Sequence, residues 1–439
     1  MLSENILSTL RYVVDFLLGE KSKDFTDYVF YGLPETAPSQ AKIIIVPSVF
    51  FDEGVYGTPA TLPKTPFEML PDSETPFLFG EPRLEKDEKG RLVLYADIVA
   101  SAYFMLSRYE ETVKPECRDQ YGRFLAKDSV VFQQGFGMRP LVDEWGRYLR
   151  DLLRKAGVGL PSEKCGFSKI YLTHDVDAPF VLRSRIHVFK QMIKNIIHRG
   201  VKILHPYRVF RTGNGDPYNN FSKIIEYDTG LQGKIGKDIV RPIYFIIAAD
   251  NRRSRIYSDI ELPKFRNLLA QLESSNAEIG FHASFEAGGN PALLKGEMER
   301  MFRFCRSATT KSRHHYLRWR EPEHIDEMEA AGITDDFTLG YADCAGFRSG
   351  TCRPYRFINP KTLRVSNVVM HPMEIMECSL DRKVYMGLDS EAAENVCRTI
   401  INEVRKYDGE LNILWHNNSF LQGYLDRLYN VILEYLAGL

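Results

Sequence analysis

At 439 residues the chain exceeds what one ordinary hydrophobic core organises, and two domains are the expectation. An apolar fraction of 44% and a charged fraction of 26% are those of a soluble globular protein, and 57 basic against 58 acidic residues leave no bulk charge to draw a nucleic acid or an anionic membrane. Seven scattered cysteines without a CxxC pair argue for free thiols and against a disulfide framework or a cysteine-ligated zinc. No transmembrane segment is present, because no stretch is long and apolar enough to span a bilayer. The start Met1-Leu2-Ser3-Glu4 lacks the basic residues of a secretory leader, so a cytoplasmic location is expected.

Residues 3–19 read as an amphipathic helix with Ile6, Leu7, Leu10, Val13, Val14 and Leu17 on one side. The run 41–51 reads as a buried strand entering a loop, and a Pro-rich passage follows from Pro59 to Pro82. Strand 91–99, helix 98–108 and helix 140–153 complete an α/β region without a single histidine. The acidic pairs there, Glu110-Glu111 among them, are expected at the surface. Gly, Pro and Ser cluster near 157–168, which puts a boundary between a smaller α/β domain over 1–160 and a second domain over 161–439.

Past the boundary the pattern alternates. Strands are predicted at 168–175, 242–248, 278–283, 314–319, 337–341, 368–372 and 411–415, with helices at 181–199, 262–274, 292–305, 322–331, 390–406 and 423–436. Such alternation implies a parallel sheet, open or closed into a barrel. Polar residues sit just after the apolar runs: His174, Asp175 and Asp177, then His282, His315, Asp343 with Arg348, and His416. In a barrel those positions line the mouth.

The stretch Tyr171-Leu172-Thr173-His174-Asp175-Val176-Asp177 carries the most chemistry. Strand alternation puts both Asp side chains on one side of a strand end, where they repel unless a proton or cation lies between them. One carboxylate as metal ligand and the other as general base resolves the conflict; a solvated loop is the alternative. His282 follows at a second strand end, with Glu286 four residues on. In Ser312-Arg313-His314-His315 the two histidines face opposite sides, so one can reach the mouth while the other packs. Arg348, in a loop of small residues, is placed to orient a carboxylate or bind substrate, a plain turn being the alternative. His416 ends an apolar strand and suits a general acid.

Together these motifs, in order over about residues 168–437, resemble the polysaccharide deacetylase superfamily (NodB homology, carbohydrate esterase family four), in the Asp-x-Asp branch that includes peptidoglycan-deacetylase-like and allantoinase-like members. The resemblance implies a distorted (β/α) barrel of about seven strands. It implies Asp175 as the base that activates water, Asp177 and His282 as metal ligands, Arg348 as the group that orients the base, and His416 as general acid. The metal would be a divalent ion, zinc foremost, and the substrate a carbohydrate from which an N-acetyl group is removed. One departure stands out: the second His of the His-x-x-x-His ligand motif is Glu286 here. Either Glu286 or His315 completes the ligand set, or the domain binds carbohydrate without catalysing. Hydrolysis of another C–N bond, in a small amide or ureide, is the remaining alternative.

Overall fold

In the computed structural model, which describes residues 4–181, 188–189, 192–193, 205–250, 260–319, 323–381 and 383–439, the first helix runs Glu4–Leu18 and buries Ile6, Leu10, Val13, Val14 and Leu17, while Leu7 is exposed. Strands follow as β1 (Val29–Tyr31), β2 (Ile43–Ile45), β3 (Glu68–Met69), β4 (Pro76–Phe77), β5 (Gly80–Lys86) and β6 (Leu92–Ala96). They form a four-stranded sheet in the order β1-β2-β6-β5, with only β5 antiparallel, and a small β3-β4 ladder. The strand expected over 41–51 stops at Ile45, because Pro47 cannot donate to a ladder and Ser48 caps a short 3₁₀ turn over Val49–Phe51. Helix Ile98–Leu106 is buried along its whole length. Asp97 caps it by accepting from the Ala100 amide at 2.8 Å, and its other oxygen takes Ser48 and Tyr31.

The larger sheet contains β7 (Phe167–Val176), β8 (Val240–Ile246), β9 (Glu278–Ala283), β10 (Ala308–His314), β11 (Asp335–Asp336), β12 (Tyr355–Asn359), β13 (Arg364–Met370), β14 (Ile375–Met376) and β15 (Gly409–Leu414). Its order is β12-β13-β11-β10-β9-β8-β7-β15-β14, parallel throughout except for β12. The single run Arg364–Met376 pairs with β11 through Val369 and Met370 and with β15 through Ile375 and Met376. Between those pairings His371 donates to Asp336 O and Met373 to Leu339 O. Helices Pro263–Ser274, Pro291–Phe304, Glu323–Ala331, Ser390–Lys406 and Gly423–Ala437 lie close to the expected bounds. Helix Phe221–Ile235 has no counterpart among the expected elements, and most of the helix expected over 181–199 lies outside the described residues.

Two expected strands are displaced. The fourth strand of this region is 308–314, not 314–319: Tyr316 and Leu317 adopt left-handed backbone conformations (φ 63° and 53°), which no strand accommodates. The segment expected as strand 337–341 is loop after a two-residue β11. Glu110 and Glu111 are not at the surface but 2% exposed, because Lys114, Arg108 and Arg348 neutralise them inside the fold. Residues of the first 157 also bond directly to the later chain, as where Tyr12 accepts from the Arg356 amide at 2.7 Å and Asp143 accepts from Thr351 and Arg353. Among the described residues, no helix is long and apolar enough to cross a membrane.

Candidate active site

β7 delivers its side chains alternately. His174 faces the helix layer, where its ring contacts Trp415 O (2.7 Å) and Asp228 (3.1 Å). Thr173 and Asp175 face the sheet interior, where both meet Arg313, at 2.8 and 3.0 Å from its Nη1. Asp177 follows one residue past the strand. At the ends of neighbouring strands stand His282 on β9, His315 just after β10, and His416 just after β15. A cavity of about 420 Å³ opens over Asp175, Asp177, His315 and His416.

His282 Nδ1 lies 2.8 Å from the Arg313 carbonyl, which can only accept, so Nδ1 carries the proton and Nε2 presents a lone pair. That Nε2 is 3.0 Å from Asp177 Oδ1, and both atoms are buried without a hydrogen-bond partner. Two lone pairs at this distance repel, so a proton or a cation belongs between them. His315 Nε2 approaches the other Asp177 oxygen at 3.6 Å, and the three ligand atoms of Asp177, His282 and His315 lie within 4.8 Å of one another. Two imidazoles and one carboxylate converging on one point are the donor set of an open zinc site, and these residues fit such an ion. Burial pushes the Asp177 carboxyl up, but His315 and His282 outweigh it and hold the group well below the usual carboxylate range.

Asp175 stands beside this cluster. Arg313, fully buried, ties down its Oδ1, while its Oδ2 lies 3.5 Å from His282 Nε2 and 3.9 Å from His416 Nε2. Arg313 is itself fixed by Phe337 O (3.0 Å) and Asn412 Oδ1 (3.3 Å). His416 Nδ1 is 2.7 Å from Glu377 Oε1, a fully buried carboxylate that also accepts from Ser419 Oγ and the His416 amide. Burial disfavours the imidazolium, but Glu377 outweighs it and lifts the His416 pKa well above its ordinary value. The Nε2 of His416 is thereby aimed at the carboxylates, 3.7 Å from Asp177 Oδ2.

Of the residues singled out from sequence, Asp175, Asp177, His282, His315 and His416 come together. Four do not join them. His174 lies in the helix layer beside Asp228, and Asp343 accepts from the Ala126 amide at 2.8 Å. Glu286 is half-buried at the head of the 3₁₀ turn Ala287–Gly289 and is not one of the three converging ligands. Arg348 does not serve as the guanidinium on Asp175; it forms a fork on Glu111 (3.0 and 2.6 Å) and donates to Gly340 O. Arg313 takes that place instead. Displacing the strand to 314–319 hid Arg313, whereas the observed strand puts it on the interior face. Glu377 gave no signal in the sequence, since it reaches His416 across 39 residues of chain.

A family model described as a family of unknown function (DUF7033) matches residues 2–157. No curated protein matches the chain. Among solved structures the chain is similar to one described as a polysaccharide deacetylase from Mycobacterium smegmatis, at 12% identity and a TM-score of 0.39, over 64% of this chain and 86% of that one. It is also similar to one described as a glycoside hydrolase/deacetylase from Parabacteroides distasonis, at 9% identity and a TM-score of 0.37, over 63% and 68%. Both likenesses are weak, and neither assigns a role to a residue of this chain.

Proposed function

We propose that the protein is a metal-dependent hydrolase that removes the N-acetyl group from an N-acetylated sugar or glycan precursor. The observation that carries this reading is the pair of orphaned buried atoms, Asp177 Oδ1 and His282 Nε2, joined by His315 and flanked by a separately held carboxylate and imidazole. Asp177, His282 and His315 would hold the ion. Zinc bound there would polarise an acyl carbonyl and ease deprotonation of water. Asp175 is the base: Arg313 fixes one oxygen, and the other accepts the proton of the attacking water. His416 is the acid. Glu377 keeps it protonated, and its Nε2 hands the proton to the leaving amine as the C–N bond breaks.

The sheet belongs to this reading as well. With Arg364–Met376 paired at both margins, it is read as a distorted barrel of about seven parallel staves closed on that run, with residues 1–160 as a separate domain packed against it. The non-catalytic alternative rests on Glu286, and the convergence of His315 with Asp177 and His282 supports the catalytic reading over it.

The test is the metal content of the purified chain beside Asp177→Ala and His282→Ala, followed by a screen of N-acetylated sugars against cyclic ureides. Near-stoichiometric zinc, lost in both variants, is expected, with turnover confined to the sugars. A wild-type chain that takes up no divalent metal even on reconstitution would sink the mechanism, and turnover of ureides alone would replace the substrate class.

A further inference from the structure

We propose that Arg123 is a substrate-positioning residue. On this view the stretch around it brings the region matched by the family of unknown function into the sugar site, where it orders two tyrosines as walls for one neutral pyranose ring. The inference rests on the deacetylase reading and adds what recognises the sugar.

Arg123 lies within the matched span of 2–157, yet it lines the same cavity as Asp175, Asp177 and His416. Asp119 holds it there. One Asp119 oxygen accepts from the amides of Tyr121 and Arg123, both at 2.9 Å, and the other takes the guanidinium at 2.7 Å. The remaining guanidinium donors cross the cavity mouth: Nη2 donates to Tyr385 Oη at 2.9 Å and Nη1 to Tyr316 O at 3.3 Å. Tyr121 stacks on the Tyr316 ring, 4.8 Å between centroids at 19°. Two segments far apart in sequence, the turn after β10 and the loop before helix Ser390–Lys406, are thus linked through one side chain of the first region.

Both linked residues have unusual backbones. Tyr316 (φ 63°) and Tyr385 (φ 43°) occupy the left-handed region that bulky residues avoid, and both line the cavity while 40% and 44% exposed. Strained, exposed aromatics at a cavity rim are held for what they contact. An aromatic face suits the apolar C–H face of a pyranose, and Asp381 and Asn418, which line the same cavity, offer hydrogen-bond partners for hydroxyls. Because Asp119 already neutralises Arg123, the residue is a brace and not a counter-ion, so the structure assigns a neutral sugar and not a phosphorylated or uronic one. The cavity's volume of about 420 Å³ suits a short saccharide or the end of a chain.

The experiment compares steady-state kinetics of the full, zinc-loaded chain on di-N-acetylchitobiose and on 4-nitrophenyl acetate, which carries the acyl group and no sugar. The variants are Arg123→Ala, Arg123→Lys and Tyr385→Phe. Expected for Arg123→Ala is a rise of about tenfold or more in KM for the disaccharide with a much smaller change in kcat, so that kcat/KM falls at least about tenfold further on the sugar than on the aryl ester. Tyr385→Phe, which deletes one hydroxyl and preserves the fold, should show the same split at smaller size, and Arg123→Lys should recover part of the loss. Equal losses on both substrates, or none on the sugar, would overturn the proposal while leaving the deacetylase reading in place. A wild-type enzyme that cleaves the ester and ignores the N-acetylated sugar would instead defeat the reading beneath it.

Discussion

Two of the buried charge clusters among the described residues differ in one respect. In the first, Glu111 receives Arg108 and Arg348 on its two oxygens, Arg108 also bonds Tyr341 and the Arg348 carbonyl, and Arg348 completes the set on Gly340 O. In the second, Asp175, Asp177, His282, His315 and Arg313 converge, yet Asp177 Oδ1 and His282 Nε2 remain without partners. A closed set of donors and acceptors holds two parts of the chain together and asks for nothing more. An open set at strand ends, facing a cavity, still has room for a proton or a cation. Burial and charge alone do not distinguish the two; satisfaction does.

The sharpest way to break that contrast is Arg348→Ala. Leaving Glu111 buried with Arg108 but without Arg348 should destabilise the fold by about 3 kcal/mol in chemical denaturation at neutral pH. Zinc bound per folded molecule should stay at the wild-type level, the reverse of what Asp177→Ala is expected to give. The pH dependence has a definite sign. Burial pushes the Glu111 carboxyl up, but Arg348 and Arg108 outweigh it and hold it at about 2. Its folded value is therefore below the roughly 4.3 of an unfolded glutamate, so its stabilisation is complete above that pH and is lost as pH falls toward 2. Arg348→Ala should flatten that acid-side loss. A variant as stable as wild type but depleted of zinc would move Arg348 back into the site.

The same contrast explains what could be read from the sequence. Helix Ser390–Lys406 and strand β9 stand at their expected bounds because amphipathic spacing and an apolar run bounded by polar residues are local signals. The convergence of Asp175, Asp177, His282 and His416 was expected for a related reason: each stands at or just past the end of an apolar strand. Arg313 and Glu377 were not, since their roles lie in contacts to residues 138 and 39 positions away. Nor was the burial of Glu110 and Glu111, which depends in part on an arginine 237 residues further on. Arg348 reads from sequence as a site arginine, and the structure places it on Glu111 and Gly340 O instead.

Glu377→Gln sharpens the comparison inside the site. Glu377 raises the His416 pKa, and the leaving amine needs protonated His416, so activity should fall as pH rises through that value. Removing the charge lowers the pKa, and the alkaline limb of the kcat profile should move to lower pH by about one unit or more. Zinc content should not change. An alkaline limb that stays in place would separate His416 from the proton transfer.

The smallest effect is expected at Glu286, and it decides between the two ligand sets that the sequence allows. The Glu286 charge lies near Glu297, whose buried carboxylate accepts from Ser284 N and Oγ and is pushed up chiefly by burial, with Glu286 adding to the rise. Glu286→Gln therefore relieves a like-charge contact and breaks none of the three converging ligands. Stability should stay within about 0.5 kcal/mol of wild type, on the stabilising side if it moves, as for substitutions away from the core. Zinc stoichiometry should be unchanged in Glu286→Gln and reduced in His315→Ala, because His315 Nε2 faces Asp177 and the Glu286 carboxylate does not join that set. The opposite pair of results would make Glu286 the third ligand and His315 a rim residue of the cavity.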